Sequence, residues 1–394
     1  MSLDNIFKSK DLQHKPEWLK SLNAYSRSKI ESIGPLNMKN DNFKYSRMSD
    51  IFENTYHSRE GSGEDKKNSI CFHNSSIGIG EMEEGVKIFK TEEIENDHDL
   101  LNKIMGNEDD NYLTTLNHAL IDEVIVIDIS KSQKEPLTLI HKTDHEAIKA
   151  TMVLVRIKKG IKVSIIEKHS SAKKSFQSYQ IKFLLESGSE VKHFVSNLNR
   201  GISLQMVEAV ESKGASFNSF NFSKGGELVR NEILCNFNGE DCSANLYGIY
   251  LCSDSHVDNS ILIKHNHPNC ENRQIFKGIL DNRSKGAFSS KVFVKEHSMG
   301  SESQQTNKTL ILDEESEMNS RPQLEIYNDD VKCGHGSTIG RVDEELIFYL
   351  TSRGIDPASA TAMLTKAFID ELLPHANDGI RLEVEEAMKG GENQ

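Results

Sequence analysis

Residues Gly160 to Gly188, GIKVSIIEKHSSAKKSFQSYQIKFLLESG, carry the reading that decides the fold. KVSIIEKH (Lys162–His169) and YQIKFLL (Tyr179–Leu185) are runs rich in β-branched residues and read as strands. The same texture starts at VIVIDI (Val124–Ile129) and TMVLVRI (Thr151–Ile157) and continues through VKHFV, FNSFNF, NLYGIYL and FSSKVFV. Glycines stand shortly before such runs at Gly160, Gly188, Gly214, Gly239 and Gly286, with gaps of 28, 26, 25 and 47 residues, the last close to two steps. No amphipathic helix of useful length lies between about Ala150 and Asp330, which removes Rossmann, barrel and other parallel α/β folds. Strands and turns alone, repeating roughly every 25 residues, are what a β-solenoid produces, since each coil covers its apolar inner face only by stacking on the next. A β-sandwich also tolerates closely spaced strands. The spacing favours the solenoid.

Helical regions flank this core. Pro16 to about Ile33 reads as a helix with Trp18, Leu19, Leu22, Tyr25 and Ile30 on one stripe, stopped by Gly34-Pro35. Phe43–Phe52 suggests a short helical piece, Glu60–Lys67 a polar loop, Ile70–Phe89 short strands, and Glu92–Met105 and Tyr112–Leu120 helices. Near the C-terminus, Asp343 opens a helix containing LIFYL, and Gly354 ends it. Asp356-Pro357 then caps a second helix with Met363, Leu364, Ala367, Phe368, Glu371 and Leu372 at helical spacing, and Ile380–Met388 forms a third. The expected organisation is an N-terminal mixed region over residues 1–122, a mainly β core over 123–338 and a C-terminal helical region over 339–394. A short group of helices has little core of its own, so part of its apolar surface is expected to serve a partner protein.

The 394 residues are 36% hydrophobic and 27% charged, with a formal net charge of −13. That charge argues against binding nucleic acid or anionic membranes, which needs a basic surface. No apolar run approaches the roughly 20 residues that span a bilayer, and MSLDNIFKSKDLQHKPEWLK lacks an apolar signal core, so a cytoplasmic protein is expected. The six cysteines contain no C-x-x-C pair, and most are expected to be buried thiols.

The densest ligand chemistry lies in LEIYNDDVKCGHGSTIG (Leu324–Gly340). The reading is a strand at Leu324–Tyr327, a polar turn at Asn328–Asp330, a short strand from Val331 to His335, and a break at Gly336–Thr338. Cys333 and His335 are two positions apart, so in an extended chain thiol and imidazole share a face. Gly334 and Gly336 leave the backbone open to another chain or an inorganic ligand. The bland alternative is a histidine capping a strand end. A weaker metal candidate is His265-x-His267, with His256 and Asp258 nearby, and turn histidines are the commoner meaning of that pattern. Arg230, Lys277 and Lys295 are candidates for a polar line along one solenoid face. No P-loop, nucleophile elbow, H-E-x-x-H or dinucleotide fingerprint occurs, so ATP hydrolysis is expected to belong to a partner.

An ordered series of motifs resembles the SufB/SufD family of iron–sulfur cluster assembly scaffolds, and SufD more than SufB. It comprises Val229-Arg230-Asn231, NLYGIY (Asn245–Tyr250), HNHPNC (His265–Cys270), QIFKGIL (Gln274–Leu280), SESQQTNKTLIL (Ser301–Leu312), RPQLEIYNDDVKCGHG (Arg321–Gly336) and FYLTSRGI (Phe348–Ile355). The resemblance implies a right-handed parallel β-helix between helical regions, and a scaffold that is not catalytic alone. It implies pairing with a SufB-like subunit, or with itself when isolated, and binding of a SufC-like ABC ATPase through the C-terminal helices. His335 then falls on a proposed ligand position, with Cys333 as the neighbouring thiol, for iron or a nascent iron–sulfur cluster at the subunit border. Gly334 stands where the family usually has serine, and Ser337 where alanine is common. A SufB-type paralogue carrying the cluster itself, or a β-helix polysaccharide lyase, are the alternative readings.

Overall fold

The computed structural model describes residues 6, 15–34, 43, 44, 46, 48, 51, 54–63, 66–95, 97–105 and 111–389. Part of the helical piece expected at Phe43–Phe52 lies outside them, as do two residues of the polar loop expected at Glu60–Lys67.

The chain is mainly β, with 48% of residues in strands and a β-solenoid of about 8 turns between helical ends. In chain order come α1 (Glu17–Ile33), β1 (Ser69–His73), β2 (Ser76–Ile79), β3 (Val86–Phe89), α2 (His98–Met105) and α3 (Tyr112–Leu120). There follow β4 (Val124–Ile129), β5 (Leu137–Thr143), β6 (Ile148–Ile157), β7 (Lys162–Ser171), β8 (Phe176–Leu185), β9 (Glu190–Asn199) and β10 (Ile202–Glu211). Next are β11 (Ser216–Lys224), β12 (Leu228–Phe237), β13 (Ser243–Ser253), β14 (His256–His265), β15 (Glu271–Asp281) and β16 (Lys285–Val294). The last elements are β17 (Ser301–Ile311), β18 (Glu317–Ile326), β19 (Val331–Gly340), α4 (Glu344–Ser352), α5 (Pro357–Asp370) and α6 (Asp378–Lys389).

From β4 to β19 successive strands alternate between two sheets, one ordered β19-β17-β15-β13-β11-β9-β7-β5-β1-β2, the other β18-β16-β14-β12-β10-β8-β6-β4-β3. Neighbours are parallel except for the antiparallel pairs β1–β2 and β3–β4 at the N-terminal end. Hydropathy shows which faces are covered. TMVLVRI in β6 is buried almost continuously, because the N-terminal helices lie on that sheet, as a strand covered on both faces requires. KVSIIEKH in β7 alternates, with Val163, Ile165, Glu167 and His169 inward. Fully buried Phe72, Phe183, Phe217 and Phe237 fill the interior, each contributing about 1.5–3 kcal/mol.

A ladder of left-handed turn residues sets the coil length. Gly160, Gly188 and Gly214 have φ of 70°, 69° and 66°. Their N–H groups donate to the carbonyls of Ser187, Lys213 and Glu240 one coil further on, at 3.1, 2.9 and 2.9 Å. The series continues through Asp241, Asn269 and Gly300, not through Gly239 and Gly286 as the glycine spacing suggests. Asparagine and aspartate tolerate positive φ better than other side chains, so the turn persists without glycine, while Gly286 lies inside β16.

Two further readings are corrected. The strand at Val331 does not break at Gly336–Thr338 but runs to Gly340, paired in register with β17. In α1 the buried line is Leu19, Leu22, Asn23, Ser26 and Ile30, while Tyr25 is 68% exposed.

Candidate functional site

At one end of the solenoid β18 and β19 are the outermost strands of the two sheets, and each is ten residues long. Register fixes what they display. Asn272, Ser303 and Cys333 form one inward column, and Gln274, Gln305 and His335 the next. Cys333 and His335 therefore do share a face. Cys333 is half-buried against the core and burial raises its thiol pKa, so it is protonated at neutral pH. His335 is exposed. Beneath them Ser303 Oγ, Gln305 Oε1, Gln274 Nε2 and Asn272 Nδ2 are buried polar atoms without partners among the described residues. A recess of about 530 Å³ beside Cys333 is lined by Asn245, Arg273, Glu302, Gln304 and Lys332. A Cβ at Gly334 or Gly336 would meet nothing within 4 Å, so both backbone sites face open space.

The C-terminal helices lie on the β5–β19 sheet. Ile369, Leu372, Leu373, Ile380 and Val384 pack on Phe220, Phe222, Ile249 and Ile279. Lys277, whose side chain is 2% exposed, donates to the Phe368 carbonyl at 2.6 Å, pairs with Glu371 and sits 4.6 Å from the Phe368 ring centroid. His375 stacks on Tyr247 with centroids 3.8 Å apart. The stripe read from the sequence is the buried one only in part: Leu372 is buried and Phe368 packs against the sheet, but the buried residues of α5 are Ala360, Thr365 and Ile369, and Met363 is 52% exposed. α4 buries no residue, and Leu346, Phe348 and Tyr349 are 48%, 75% and 55% exposed. That is unusual apolar exposure for one two-turn helix.

The remaining candidates are not assembled. His265 points inward and bonds Asn272 Oδ1 through Nε2 at 2.9 Å, His267 is exposed, and His256 lies at the far end of β14. Asp258 is taken by Arg230 and by the Ser46 hydroxyl. Nor do Arg230, Lys277 and Lys295 form a line. Arg230, on β12, is buried under Ser46 and the Phe43 ring, with Asp258 and Glu232 as ion partners. Lys277 is on the other sheet, fastening the C-terminal helices. One cation holds each flanking region.

A second polar group was missed from the sequence. His141, Glu167, His169 and His193, all at most 2% exposed, meet inside the solenoid near Tyr179 and Gln205. Period-2 alternation was the available signal: in KVSIIEKH, if Val163 and Ile165 face inward, Glu167 and His169 must too.

Parallel coils, helices at both ends and a terminal coil left unpaired among the described residues define this chain as a β-solenoid with one open end. A family model described as "SUF system FeS cluster assembly, SufBD core domain" matches residues 139–368, and the chain belongs to that family. Iron-sulfur cluster assembly protein SufD of Escherichia coli K12 is 28% identical over 282 residues, covering 68% of this chain and 67% of that protein. A SufBD family protein of Synechocystis is 26% identical over 289 residues, covering 69% of this chain and 63% of its own length. SufD of Plasmodium falciparum is 26% identical over 297 residues, covering 73% of this chain but 20% of that protein. The SufD-like reading stands, and family membership displaces the lyase. Among the described residues no helix is long and apolar enough to cross a membrane.

Proposed function

We propose that this chain is a SufD-type scaffold subunit, non-catalytic alone and working in the cytoplasm. It would pair with a SufB-like subunit through the open end of its solenoid and bind a SufC-like ATPase through its C-terminal helices. A part in SUF iron–sulfur cluster assembly follows from the family. The observation that carries the finer reading is the open coil: β18 and β19 leave both sheets unpaired at the end that bears Cys333 and His335. Unpaired strands offer backbone donors and acceptors to another chain. In the isolated chain the same edges support a homodimer.

Cluster or iron is cargo in this scheme. One thiol and one imidazole are a ligand pair that iron accepts, but fewer than the four protein ligands a cluster commonly uses. The remainder must come from the paired subunit. Because burial keeps Cys333 protonated, its coordination would release a proton. The exposed apolar side chains of α4 and Met363 of α5 supply the surface for the ATPase.

Co-expression with a SufB-like and a SufC-like subunit tests both contacts. Phe348→Ser/Tyr349→Ser, like deletion beyond Ile355, is expected to lose the ATPase while keeping the scaffold partner. His335→Ala is expected to lower cluster yield in the reconstituted complex without dissociating it. Normal ATPase retention or an unchanged cluster yield would refute the corresponding half of the proposal.

A further inference from the structure

The corner at which each coil enters the β5–β19 sheet repeats one buried position. Ser189, Ala215, Cys242 and Cys270 immediately precede β9, β11, β13 and β15, Ser301 opens β17, and the strand registers stack all five in one column. None is more than 1% exposed. Three of them close the turn in one way, donating to the carbonyl three residues back: Ser189 Oγ to Glu186 at 2.7 Å, Cys242 Sγ to Gly239 at 3.2 Å and Ser301 Oγ to Ser298 at 2.8 Å. Cys270 departs from that habit. Its Sγ lies 3.3 Å from the carbonyl oxygen of Gly239, one coil back, and 3.4 Å from that of Pro268. The two sulfurs therefore converge on a single oxygen. A thiol that merely filled the corner, as Ala215 does, would have no reason to lean toward its neighbour's turn.

The backbone suits a bond between them. Parallel neighbours stand about 4.8 Å apart, inside the range of about 4.4–6.8 Å between Cα atoms that a disulfide spans. The Cβ atoms must come within about 3.5–4.5 Å, slightly less than the coil spacing, so closure draws the two turns together and leaves a bond that small thiols reduce readily. The pair is also unequal. A hydrogen bond from the Cys242 thiol holds Cys270 below its usual range, although burial, Glu211 and Asp241 oppose it, and the same bond raises Cys242. Cys270 is thus the nucleophile, since the thiolate is the reactive form. Each cysteine follows an exposed left-handed turn residue, Asp241 with φ of 62° and Asn269 with φ of 57°, so the sulfurs lie one residue beneath the surface.

We propose that Cys242 and Cys270 are a modification site at which a peroxide forms a reversible disulfide between consecutive coils. The Cys270 thiolate attacks one peroxide oxygen; the O–O bond breaks, an S–O bond forms, and the departing hydroxide takes up the proton Cys270 released and leaves as water. Cys242 then loses its proton and attacks the Cys270 sulfur. The S–O bond breaks, an S–S bond forms, and the hydroxyl departs with that proton as a second water. Two thiols give up two electrons, and one peroxide becomes two waters. The bond joins residues 28 positions apart and staples the turn before β13 to the turn before β15. In a reducing compartment such bonds are transient, so the resting form is the dithiol.

The test uses the full chain carrying Cys333→Ser, which removes the half-buried thiol at the open end. The folded protein is treated with hydrogen peroxide, quenched in acid, alkylated in denaturant and mapped by mass spectrometry without reduction. Cys242 and Cys270 are expected in one cross-linked pair of peptides, with Cys71, Cys235 and Cys252 alkylated, and dithiothreitol should return all five remaining thiols. Cys242→Ser should leave a sulfenic acid on Cys270 that dimedone traps, whereas Cys270→Ser should leave Cys242 unreacted. Serine already fills this corner at Ser189 and Ser301, so both variants should fold. Full alkylation of Cys242 and Cys270 after peroxide, a link from either to another cysteine, or a link formed only together with oxidation of the other buried thiols would overturn the proposal. Should a variant fail to fold, the map of the Cys333→Ser chain alone decides.

Discussion

Lys277→Met tests how the C-terminal helices are held. The substitution keeps an unbranched apolar stem of similar length in a site where the native side chain is 2% exposed. It removes a charged donor from the Phe368 carbonyl and a cation from the Phe368 ring. A hydrogen bond to a charged group contributes about 1.5–3 kcal/mol. The ring contact adds about 0.5–1 kcal/mol, which methionine, itself a fair partner for an aromatic ring, partly restores. Glu371 is 63% exposed, so its ion pair adds at most ~1 kcal/mol and its loss leaves no buried charge. The net cost is about 2 kcal/mol, or roughly thirty-fold in a local opening equilibrium, since about 1.4 kcal/mol is tenfold. Solenoid stability is close to a sum of neighbouring contacts, so the loss should stay local. Hydrogen exchange read by mass spectrometry is expected to quicken about thirty-fold in α5 and α6 and to stay unchanged in β7 and β9. Unchanged exchange in the helices, or an equal increase throughout the solenoid, would refute the clamp.

Other substitutions probe the interior and the N-terminal contact. Glu211 is fully buried, neither carboxylate oxygen has a partner among the described residues, and burial pushes its pKa well above the ordinary 4.5. The native state then keeps the proton while the unfolded state ionises, so this residue's contribution is full below about pH 4.5 and falls as pH rises toward the native pKa. Glu211→Gln should gain on wild type by up to about 1.4 kcal/mol per pH unit in that window, and parallel urea midpoints against pH would exclude the effect. Arg230→Met strands Asp258, 4% exposed, and should cost about 3–5 kcal/mol locally, whereas Arg230→Met/Asp258→Leu should cost less than the single change. A double-mutant cycle on denaturant midpoints measures this, and simple additivity would count against the pair. A Cβ at Gly278 would overlap the Tyr250 ring, whose hydroxyl bonds Asn307 at 3.0 Å and Thr309 at 2.7 Å. Gly278→Ala should therefore cost about 2–4 kcal/mol from overpacking and a displaced hydrogen bond, and an unchanged thermal midpoint would contradict that.

The strands were legible because β-branched runs such as VIVIDI match their elements, Val124–Ile129 residue for residue. The repeat was legible while glycine marked it, at Gly160, Gly188 and Gly214. It faded where Asp241 and Asn269 took the same left-handed turn, because several residue types satisfy one backbone demand. The buried face of α5 was legible only in part, since Phe368 packs on the sheet while Met363, read onto the same stripe, is exposed. Cys333 and His335 were found from i, i+2 spacing, and the structure sets them on one face of the terminal strand. Glu167 and His169 escaped because charge in a strand suggests solvent, whereas the alternation begun by Val163 and Ile165 overrides it.

The two ends of the stack are unlike. At the N-terminal end the outermost strands, β2 and β3, are four residues long and run antiparallel to their neighbours. Short, reversed borders are poor templates for another chain. Among the described strands, end-to-end docking of the kind proposed above has a single live terminus per molecule. Two such termini would consume each other on meeting, so association would halt at a pair instead of lengthening into a filament. A subunit of that shape would limit its own polymerisation without any surface dedicated to that purpose.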